Sequence, residues 1–489
     1  MRLATRFATR FATRRSGGNT RRPVRPPEPD DGSGTAPSAL GGRFVAAVMA
    51  GSMLNPVNSS MISTALVPIG RSFGAGPSAT VWLVAGLYLA SAVAQPVMGR
   101  VADHLGARRV YLTGLVLVGL SGAAGLVAGS LGELVAVRVL TGVGTSAAYP
   151  AAMAMIRQRS ARTPGGPPSG ALGALTIAAL ASAALGPALG GLLTGLAGWR
   201  AVFAVNMPLA LAGLALALAW LPRDEPRPRP GGARGVWSEL DPAGVLLFAG
   251  TLLPLMFFLT DLAHPRWPLL AAGGLAAGAL AAWELRVARH PFLDLRMLAA
   301  NRPLVRTYVR YGASFLVVYC VLYGYTQWLE EVRGYSAALT GVVMLPMCAV
   351  AALCSWAGAR RATVRGPLLV GTVAMVAASA ALAFTGPGTP MAVLVLVGVV
   401  FGLPNGLNAV GNQAALYAQA PAGGTGTAAG LFRTAQYVGA VASTSVIGLV
   451  YGDRATTGGL HTAAVVLTVL GVLLLPATLF DRALRRAGR

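Results

Sequence analysis

Long apolar stretches alternate with short polar loops along nearly the whole chain. After a polar start, fourteen apolar runs follow one another, each close to the ~20 residues that a helix needs to cross a bilayer. No polar stretch after residue 43 is long enough for a separate soluble domain. We number the predicted spans 1–14; they cover residues 44–69, 79–99, 110–129, 132–156, 170–196, 201–221, 243–262, 268–285, 307–328, 337–358, 366–386, 389–417, 424–450 and 462–480.

The composition agrees with a membrane protein and excludes an ordinary soluble enzyme. Of the 489 residues, 55% are hydrophobic and only 11% are charged, and the mean hydropathy is +0.62. A soluble domain carries roughly 25% charged residues. The net charge is +23, and all 39 basic residues are arginine. Because nucleic-acid-binding proteins are also strongly basic, the positions of the arginines decide what the charge means.

The arginines are concentrated on one side of the predicted membrane. The N-terminal tail and the loops on its side hold 32 of them, the other loops hold five, and Arg138 and Arg433 lie within spans. Basic residues accumulate in cytoplasmic loops of membrane proteins. We therefore predict that both termini are cytoplasmic and that the charge reflects topology, so no nucleic acid is expected as a partner.

The turn between spans 2 and 3 combines glycines, one carboxylate and several arginines. An aspartate in such a turn can accept charge-assisted hydrogen bonds from arginine or cap a neighbouring helix. Bonds of this kind can form and break as helical bundles move. The residues of this predicted latch are Gly99, Asp103, Gly106, Arg108 and Arg109.

Two further spans carry residues that are unusual inside a membrane. Arg138 lies in span 4, where a lone guanidinium is costly and therefore indicates a functional or tightly paired residue. Arg433 in span 13 falls under the same rule, but no motif surrounds it. Span 5 carries small and kinking residues at helical spacing, which permit close helix contact and a bend: Gly173, Gly186, Pro187, Gly190 and Gly191.

Taken together, these segments resemble the major facilitator superfamily, and within it the 14-span drug:proton antiporter-like group of bacterial exporters. The resemblance covers about residues 44–480. Thr141 and Ser182 depart from the family pattern, in which Gln and Gly are frequent. The matching segments are the loop motif at 99–109, the span 4 motif at 134–142, the span 5 antiporter motif at 173–191, the start of span 6 at 199–208, and the segment at 290–295 that leads into the second bundle.

The resemblance implies an all-α integral membrane fold with two six-helix bundles and two extra central transmembrane helices. The expected units are a basic, disordered cytoplasmic tail at 1–42, an N-terminal bundle at 43–221, a cytoplasmic linker at 222–242, two inserted helices at 243–288, a C-terminal bundle at 289–480, and a basic tail at 481–489.

The resemblance also implies how such a chain would work. It indicates a monomer in the bacterial plasma membrane that exports small amphiphilic, drug- or antibiotic-like compounds by alternating access around a site between the bundles. Protons would be the coupling partner, with no catalytic residue, cofactor or metal. Arg138 would lie near the route of protons or substrate, and Glu133 is the nearest carboxylate to it in the sequence.

The acidic residues do not match proton coupling well. A proton relay normally uses a titratable group within the membrane, and none of the 16 acidic residues lies at the centre of a predicted span. The position in span 1 where many related exporters carry an acid is Ser59. A neutral, polar site is therefore an alternative, and an uncoupled facilitator or uptake permease for a neutral or anionic solute remains the rival function.

Amide, hydroxyl and aromatic side chains recur at helical spacing in spans 1, 9 and 12. Such walls suit a large, partly apolar ligand, although interhelical hydrogen bonds and core packing explain the same pattern. The candidate cavity residues are Asn55, Asn58, Ser59, Tyr319, Tyr323, Asn405, Asn408 and Asn412. A membrane enzyme or sensor is disfavoured because the four histidines are scattered over loops with no ligand spacing.

Overall fold

The structure is a computed structural model, and some of the regions named above lie outside the residues that it describes. Those regions are most of the tail at 1–42, residues 225–240 of the linker, and residues 289–291. The side chain of Asp103 and the surroundings of Gly173 also lie outside the description. The described ranges are 41–160, 169–224, 241–260, 262, 264–288, 292–293, 295–359, 364–420 and 425–486.

The described residues are helical, with no strand among them. Each predicted apolar run falls on one or more helices. Within the described part of the chain, ten helical segments are by themselves long and apolar enough to cross a membrane. These are span 2 (Pro77–Leu105), span 3 (Ala107–Val127), span 4 (Leu131–Ser160), span 6 (Ala201–Ala204 with Asn206–Trp220), span 7 (Pro242–Thr260), span 8 (Trp267–Arg286), span 10 (Ala337–Ala359), span 11 (Arg365–Leu382), span 12 (Met391–Gln419) and span 14 (Thr457–Leu479).

Spans 5 and 13 are the helices Ser169–Ala197 and Thr425–Tyr451, each of which includes residues whose side chains are not described. Spans 1 and 9 are interrupted. Span 1 consists of Gly42–Ser52, Leu54–Met61, the 3₁₀ turn Ile62–Thr64 and Leu66–Phe73, and span 9 consists of Arg302–Tyr319, the π-helix Cys320–Tyr325 and Thr326–Glu331.

A proline explains the first break in span 1. Pro56 has no backbone N–H, and its ring clashes with the carbonyl four residues earlier, which belongs to Ser52, the last residue of the preceding helix. The Ser52 hydroxyl instead donates to the Val48 carbonyl at 2.9 Å. The first break therefore lies at Met53, and span 9 contacts span 1 farther along the chain, at Ser59 and Ser63.

Spans 1–6 pack mainly on one another, and so do spans 9–14; we call these groups the N-terminal half and the C-terminal half. Spans 2 and 3 both pack on span 4, and spans 10 and 11 both pack on span 12. The halves meet where span 5 packs on span 10 and span 2 packs on span 13. Span 7 packs on spans 2 and 13, while span 8 packs on span 7.

Successive spans run in opposite directions, which gives the bundle two faces. We call the face that carries the loops at 106 and 287–301 and the segment at 481–486 the basic face, because the predicted cytoplasmic arginines lie there. The opposite face carries the loops at 74–76 and 452–456. On that face the halves touch directly, because the backbone N–H of Ser78 donates to the carbonyl of Gly452 at 3.0 Å.

Candidate functional site

Four buried tyrosines meet at the contact between the halves; we call them the tyrosine cluster. Tyr88 lies on span 2, Tyr319 and Tyr323 on span 9, and Tyr437 on span 13. The ring centroid of Tyr88 lies 5.2 Å from that of Tyr319 and 5.7 Å from that of Tyr437. Tyr319 and Tyr323, which the sequence predicted as cavity residues, thus lie side by side where the two halves meet. We call this contact between the halves the seam, and Tyr88 joins the two tyrosines there from the other half.

The π-helix of span 9 holds Tyr323 against the N-terminal half. The Tyr323 hydroxyl donates to the carbonyl of Ser59 at 2.6 Å and lies 3.1 Å from the hydroxyl of Tyr88. π-helical segments are rare and frequently occur at functional sites. Here the π-helix of span 9 is joined to the short helix Leu54–Met61 of span 1 by a hydrogen bond between the two halves.

Amide side chains extend this network towards the basic face. The Tyr437 hydroxyl donates to the side-chain oxygen of Gln95 on span 2. Gln436 of span 13 donates to the Tyr319 hydroxyl at 3.1 Å and accepts from Tyr311 at 3.2 Å. The seam is therefore lined by aromatic rings whose polar atoms are linked by glutamines.

Arg138 is fully buried beside this network. Its Nε donates to the carbonyl of Leu83 on span 2 at 2.8 Å, and one terminal nitrogen donates to the carbonyl of Asn58 on span 1 at 3.1 Å. The other terminal nitrogen is buried without a hydrogen-bond partner. Arg138 thus links span 4 to spans 1 and 2 by hydrogen bonds. One of its terminal nitrogens has no hydrogen-bond partner near the tyrosine cluster.

The structure does not bring Glu133 to Arg138. Glu133 is exposed at the start of span 4, where its carboxylate accepts from the backbone N–H of Gly129 at 2.9 Å and its own N–H donates to the Ser130 hydroxyl at 3.2 Å. This arrangement is a variant of the capping box, in which side chains satisfy free backbone donors at a helix N-terminus. The position of Glu133 is therefore explained by helix capping.

In span 1 the predicted polar residues mainly join helices of the N-terminal half. The amides of Asn58 and Asn206 exchange two hydrogen bonds, at 2.6 and 2.9 Å. Asn55 is half-buried and donates to the Thr145 hydroxyl at 2.9 Å. Ser59 uses its hydroxyl within its own helix, so its contribution to the seam is the carbonyl that Tyr323 contacts.

The span 12 asparagines mainly contact other helices of the C-terminal half. Asn412 accepts from Arg310 of span 9 at 2.7 Å, and Asn408 packs against Gly371 of span 11 with both side-chain polar atoms unpaired. Asn405 is half-buried. The recorded contacts of Asn408 and Asn412 thus lie within the C-terminal half, and their role in a substrate cavity stays a prediction.

Arg310 lies within the helix of span 9, although the arginine count placed it with the loops of the basic side. Its side chain is 4% exposed and lies 3.4 Å from the carboxylate of Asp481. Asn412 and Thr307 complete its hydrogen bonds. A buried charge is tolerated when it is paired and hydrogen-bonded. The ion pair between Arg310 and Asp481 also links span 9 to the segment that follows span 14.

The span 5 motif lies between span 1 and the C-terminal half. A side chain at Gly186 or Gly190 would overlap span 1, and a side chain at Gly191 would overlap the backbone of Ala337 on span 10. The Pro187 carbonyl lies 2.7 Å from where a Cβ on Gly341 of span 10 would stand. Small residues on both helices therefore allow the backbones of spans 5 and 10 to touch.

The turn between spans 2 and 3 is organised by Asp224, which follows span 6. Its carboxylate accepts the backbone N–H groups of Arg108 and Arg109 at 2.9 and 3.0 Å, at the N-terminus of span 3. Gly106 adopts φ +107°, and a side chain there would overlap Asp224. Gly99 packs against Pro150 of span 4. Because the Asp103 side chain lies outside the described part, its latch role stays a prediction.

Replacing Asp224 with alanine is expected to destabilise the protein by about 1 kcal/mol, since removing a carboxylate cap costs about 0.5–2 kcal/mol. Thermal unfolding of the purified protein measures the change. Asp453→Ala is the matched control, because Asp453 is exposed on the opposite face. Equal melting temperatures for the two variants would contradict the capping role.

Several residues of the seam were not predicted. Tyr88, Gln436 and Tyr437 lie on helices far apart in the sequence, and no local pattern marks them as partners. Arg433 was noticed only as an unexplained intramembrane charge.

Among the described residues, no three His, Cys, Asp or Glu side chains come close enough to hold a metal ion. The interactions seen at the seam are hydrogen bonds, aromatic contacts and charge interactions.

Comparison with known proteins agrees with this architecture. The family model described as Major Facilitator Superfamily matches residues 48–444. The chain is 32% identical to the uncharacterized MFS-type transporter YwoD of Bacillus subtilis (strain 168), over 88% of this chain and 94% of that protein. It is 30% identical to the tetracenomycin C resistance and export protein of Streptomyces glaucescens, over 87% and 79%.

A solved structure of a peptide transporter, POT, in complex with alafosfalin superimposes with a TM-score of 0.67 at 15% identity. The match covers 94% of this chain and 97% of that one. At this level of identity the similarity concerns the fold alone, which is that of a helical membrane transporter.

Proposed function

Since the chain belongs to the Major Facilitator Superfamily, we propose that it exports small amphiphilic compounds across the bacterial plasma membrane by proton antiport with alternating access. The chain is a membrane transporter and not an enzyme. Its similarity to drug-resistance exporters supports drug-like substrates, and the tetracenomycin C export protein is one such relative.

The observation that carries the proposal is the seam between the halves. The tyrosine cluster and the contact between spans 5 and 10 link the two halves through a small number of hydrogen bonds and through close backbone approaches. Contacts of this kind can open without disrupting the interior of either half. Alternating access in repeat-built transporters is largely a rocking of one bundle against the other around a fixed site.

Aromatic and amide side chains at the seam support an amphiphilic substrate. Ligand sites are typically lined by hydrophobic and aromatic groups with a few placed polar atoms. The tyrosine cluster, together with Gln95 and Gln436, has this composition. We assign Tyr319 and Tyr323 to the substrate site, and Arg138 to its polar edge because one of its N–H groups is unpaired.

A buried carboxylate close to the seam supports proton coupling. Glu330 lies at the end of span 9 and is 3% exposed, with one oxygen buried and without a hydrogen-bond partner. Arg71 of span 1 interacts with it electrostatically from the other half. Movement of the halves would separate these charges, and a carboxylate that loses its counter-charge binds a proton more readily.

The alternative is an uncoupled facilitator or uptake permease of the same fold for a neutral or anionic solute. The absence of an acid at the centre of any span in the sequence favours it. The two functions differ in whether flux depends on the pH gradient: proton antiport requires this dependence, and an uncoupled facilitator does not show it.

The test is transport of tetracenomycin C in proteoliposomes with the membrane potential held at zero. A gradient of one pH unit is expected to drive accumulation of about tenfold, because one pH unit is worth 1.36 kcal/mol per proton, with protons moving in the opposite direction. Protein-free liposomes provide the control. Flux that ignores the gradient would support the facilitator, and no flux at all would contradict export of this compound.

A further inference from the structure

Span 13 places an arginine between the two halves. One terminal nitrogen of Arg433 donates to the side-chain oxygen of Gln436 at 3.1 Å, and its guanidinium carbon lies 5.2 Å from the ring centre of Tyr149 on span 4. The side chain is only partly buried. It therefore bridges spans 4 and 13 on the side of the tyrosine cluster that faces the basic face.

The groups recorded around this guanidinium are uncharged. Among the described residues, the titratable groups that interact with it are tyrosines 149, 311, 319 and 437. Two arginines are fully buried among the described residues, and their surroundings are different. Arg310 is paired with the carboxylate of Asp481, and Arg138 donates to the backbone carbonyls of spans 1 and 2.

A guanidinium in this position is costly unless something balances its charge. Charged side chains within membrane spans mark substrate or ion pathways because they are expensive to keep there. Tyrosine faces stabilise a cation modestly, and they provide no negative charge. An anionic group of a ligand would balance this charge.

The surroundings also suit the rest of an aromatic ligand. Phe432, next to Arg433 in the chain, is stacked on Tyr311 with ring centres 3.6 Å apart and planes inclined by 12°. Gln436 presents an amide beside the same rings. The surroundings of the cation are thus aromatic rings and an amide, which suit an aromatic molecule with one acidic group.

We propose that Arg433, with Tyr149 and Gln436, binds the anionic group of an aromatic amphiphile, a carboxylate or a phenolate, at the seam between the halves. This inference rests on the proposed function and names the charge class of its substrate. Outward movement of an anion is favoured by the inside-negative membrane potential, so a substrate of this class gains driving force even though no span has an acid at its centre.

The test is equilibrium binding of a matched pair of probes, 9-anthracenecarboxylate and 9-anthracenecarboxamide, which share the ring system and differ in charge. The full chain is held in nanodiscs, and empty nanodiscs correct for partition into lipid. Wild type is expected to bind the carboxylate about tenfold more tightly than the amide, because loss of a close charge pair typically costs more than the 1.4 kcal/mol that corresponds to a factor of ten.

Variants of Arg433 test whether this residue causes the preference for the carboxylate over the amide. Arg433→Gln is expected to bind the two probes equally, and Arg433→Lys to keep part of the preference because the charge remains. Arg302→Gln is the matched control, since it removes an exposed arginine at the start of span 9 and should leave the preference unchanged. The ratio of the two affinities is the readout, so a uniform loss of folded protein does not alter it.

Equal binding of the two probes by wild type, no binding of the carboxylate, or a preference that survives in Arg433→Gln would each overturn the proposal. The result is separable from export itself, because no gradient and no flux enter the measurement. A chain that exports tetracenomycin C but shows no preference for the carboxylate would refute the anion site and leave the exporter intact.

Discussion

Replacing Arg138 with glutamine is expected to lower transport by roughly tenfold or more and to lower the melting temperature of the protein. Arg138 donates to the carbonyls of Leu83 and Asn58, which belong to two different spans. A hydrogen bond that involves a charged group contributes about 1.5–3 kcal/mol, and about 1.4 kcal/mol corresponds to tenfold. Glutamine is shorter and uncharged and cannot reach both carbonyls, so at least one of these hydrogen bonds between spans is lost.

Arg138→Lys should lie between wild type and the glutamine variant. Lysine keeps the charge but lacks the planar guanidinium that directs donors to two carbonyls at once. Arg200→Gln is the matched control, because Arg200 also donates to a backbone carbonyl, that of Ala128 at 3.4 Å, yet it is exposed on a loop. Flux per folded molecule and thermal unfolding are measured together. Wild-type values of both in Arg138→Gln would contradict the role given to this residue.

The helical architecture could be predicted from the sequence because hydrophobicity and length alone determine which segments can cross a bilayer. The interruptions in spans 1 and 9 were harder to foresee. Pro56 is a visible signal in span 1, but the π-helix at Cys320–Tyr325 has no comparable marker. Its geometry depends on contacts with span 1 that form only when the two halves meet.

The candidate site was predictable only in part, because helical spacing identifies a face of a helix but not the helix it contacts. Tyr319 and Tyr323 do lie at the seam, whereas Asn408 and Asn412 face other spans of their own half. Asp224 was missed for a similar reason. Its capping role depends on span 6 ending beside the start of span 3, and these positions are more than a hundred residues apart.

On the face opposite the basic face, the two halves are in contact and closed. The loop after span 1 and the loop after span 13 are in direct contact there, since the N–H of Ser78 donates to the carbonyl of Gly452 and Gly76 lies against the backbone of Asp453. Alternating access requires these loops to separate in every cycle. A covalent link across them should hold the protein in the closed state.

The most direct measurement uses Ser78→Cys with Asp453→Cys, two exposed positions, in a chain whose Cys320, Cys348 and Cys354 are replaced by alanine. A short cross-linker cleaved by dithiothreitol joins the pair, and each single-cysteine variant serves as a control. We expect flux in proteoliposomes to fall by roughly tenfold or more on cross-linking, because the open state is removed from the equilibrium, and to recover on reduction. Full flux through completely cross-linked protein would contradict transport by alternating access at this seam.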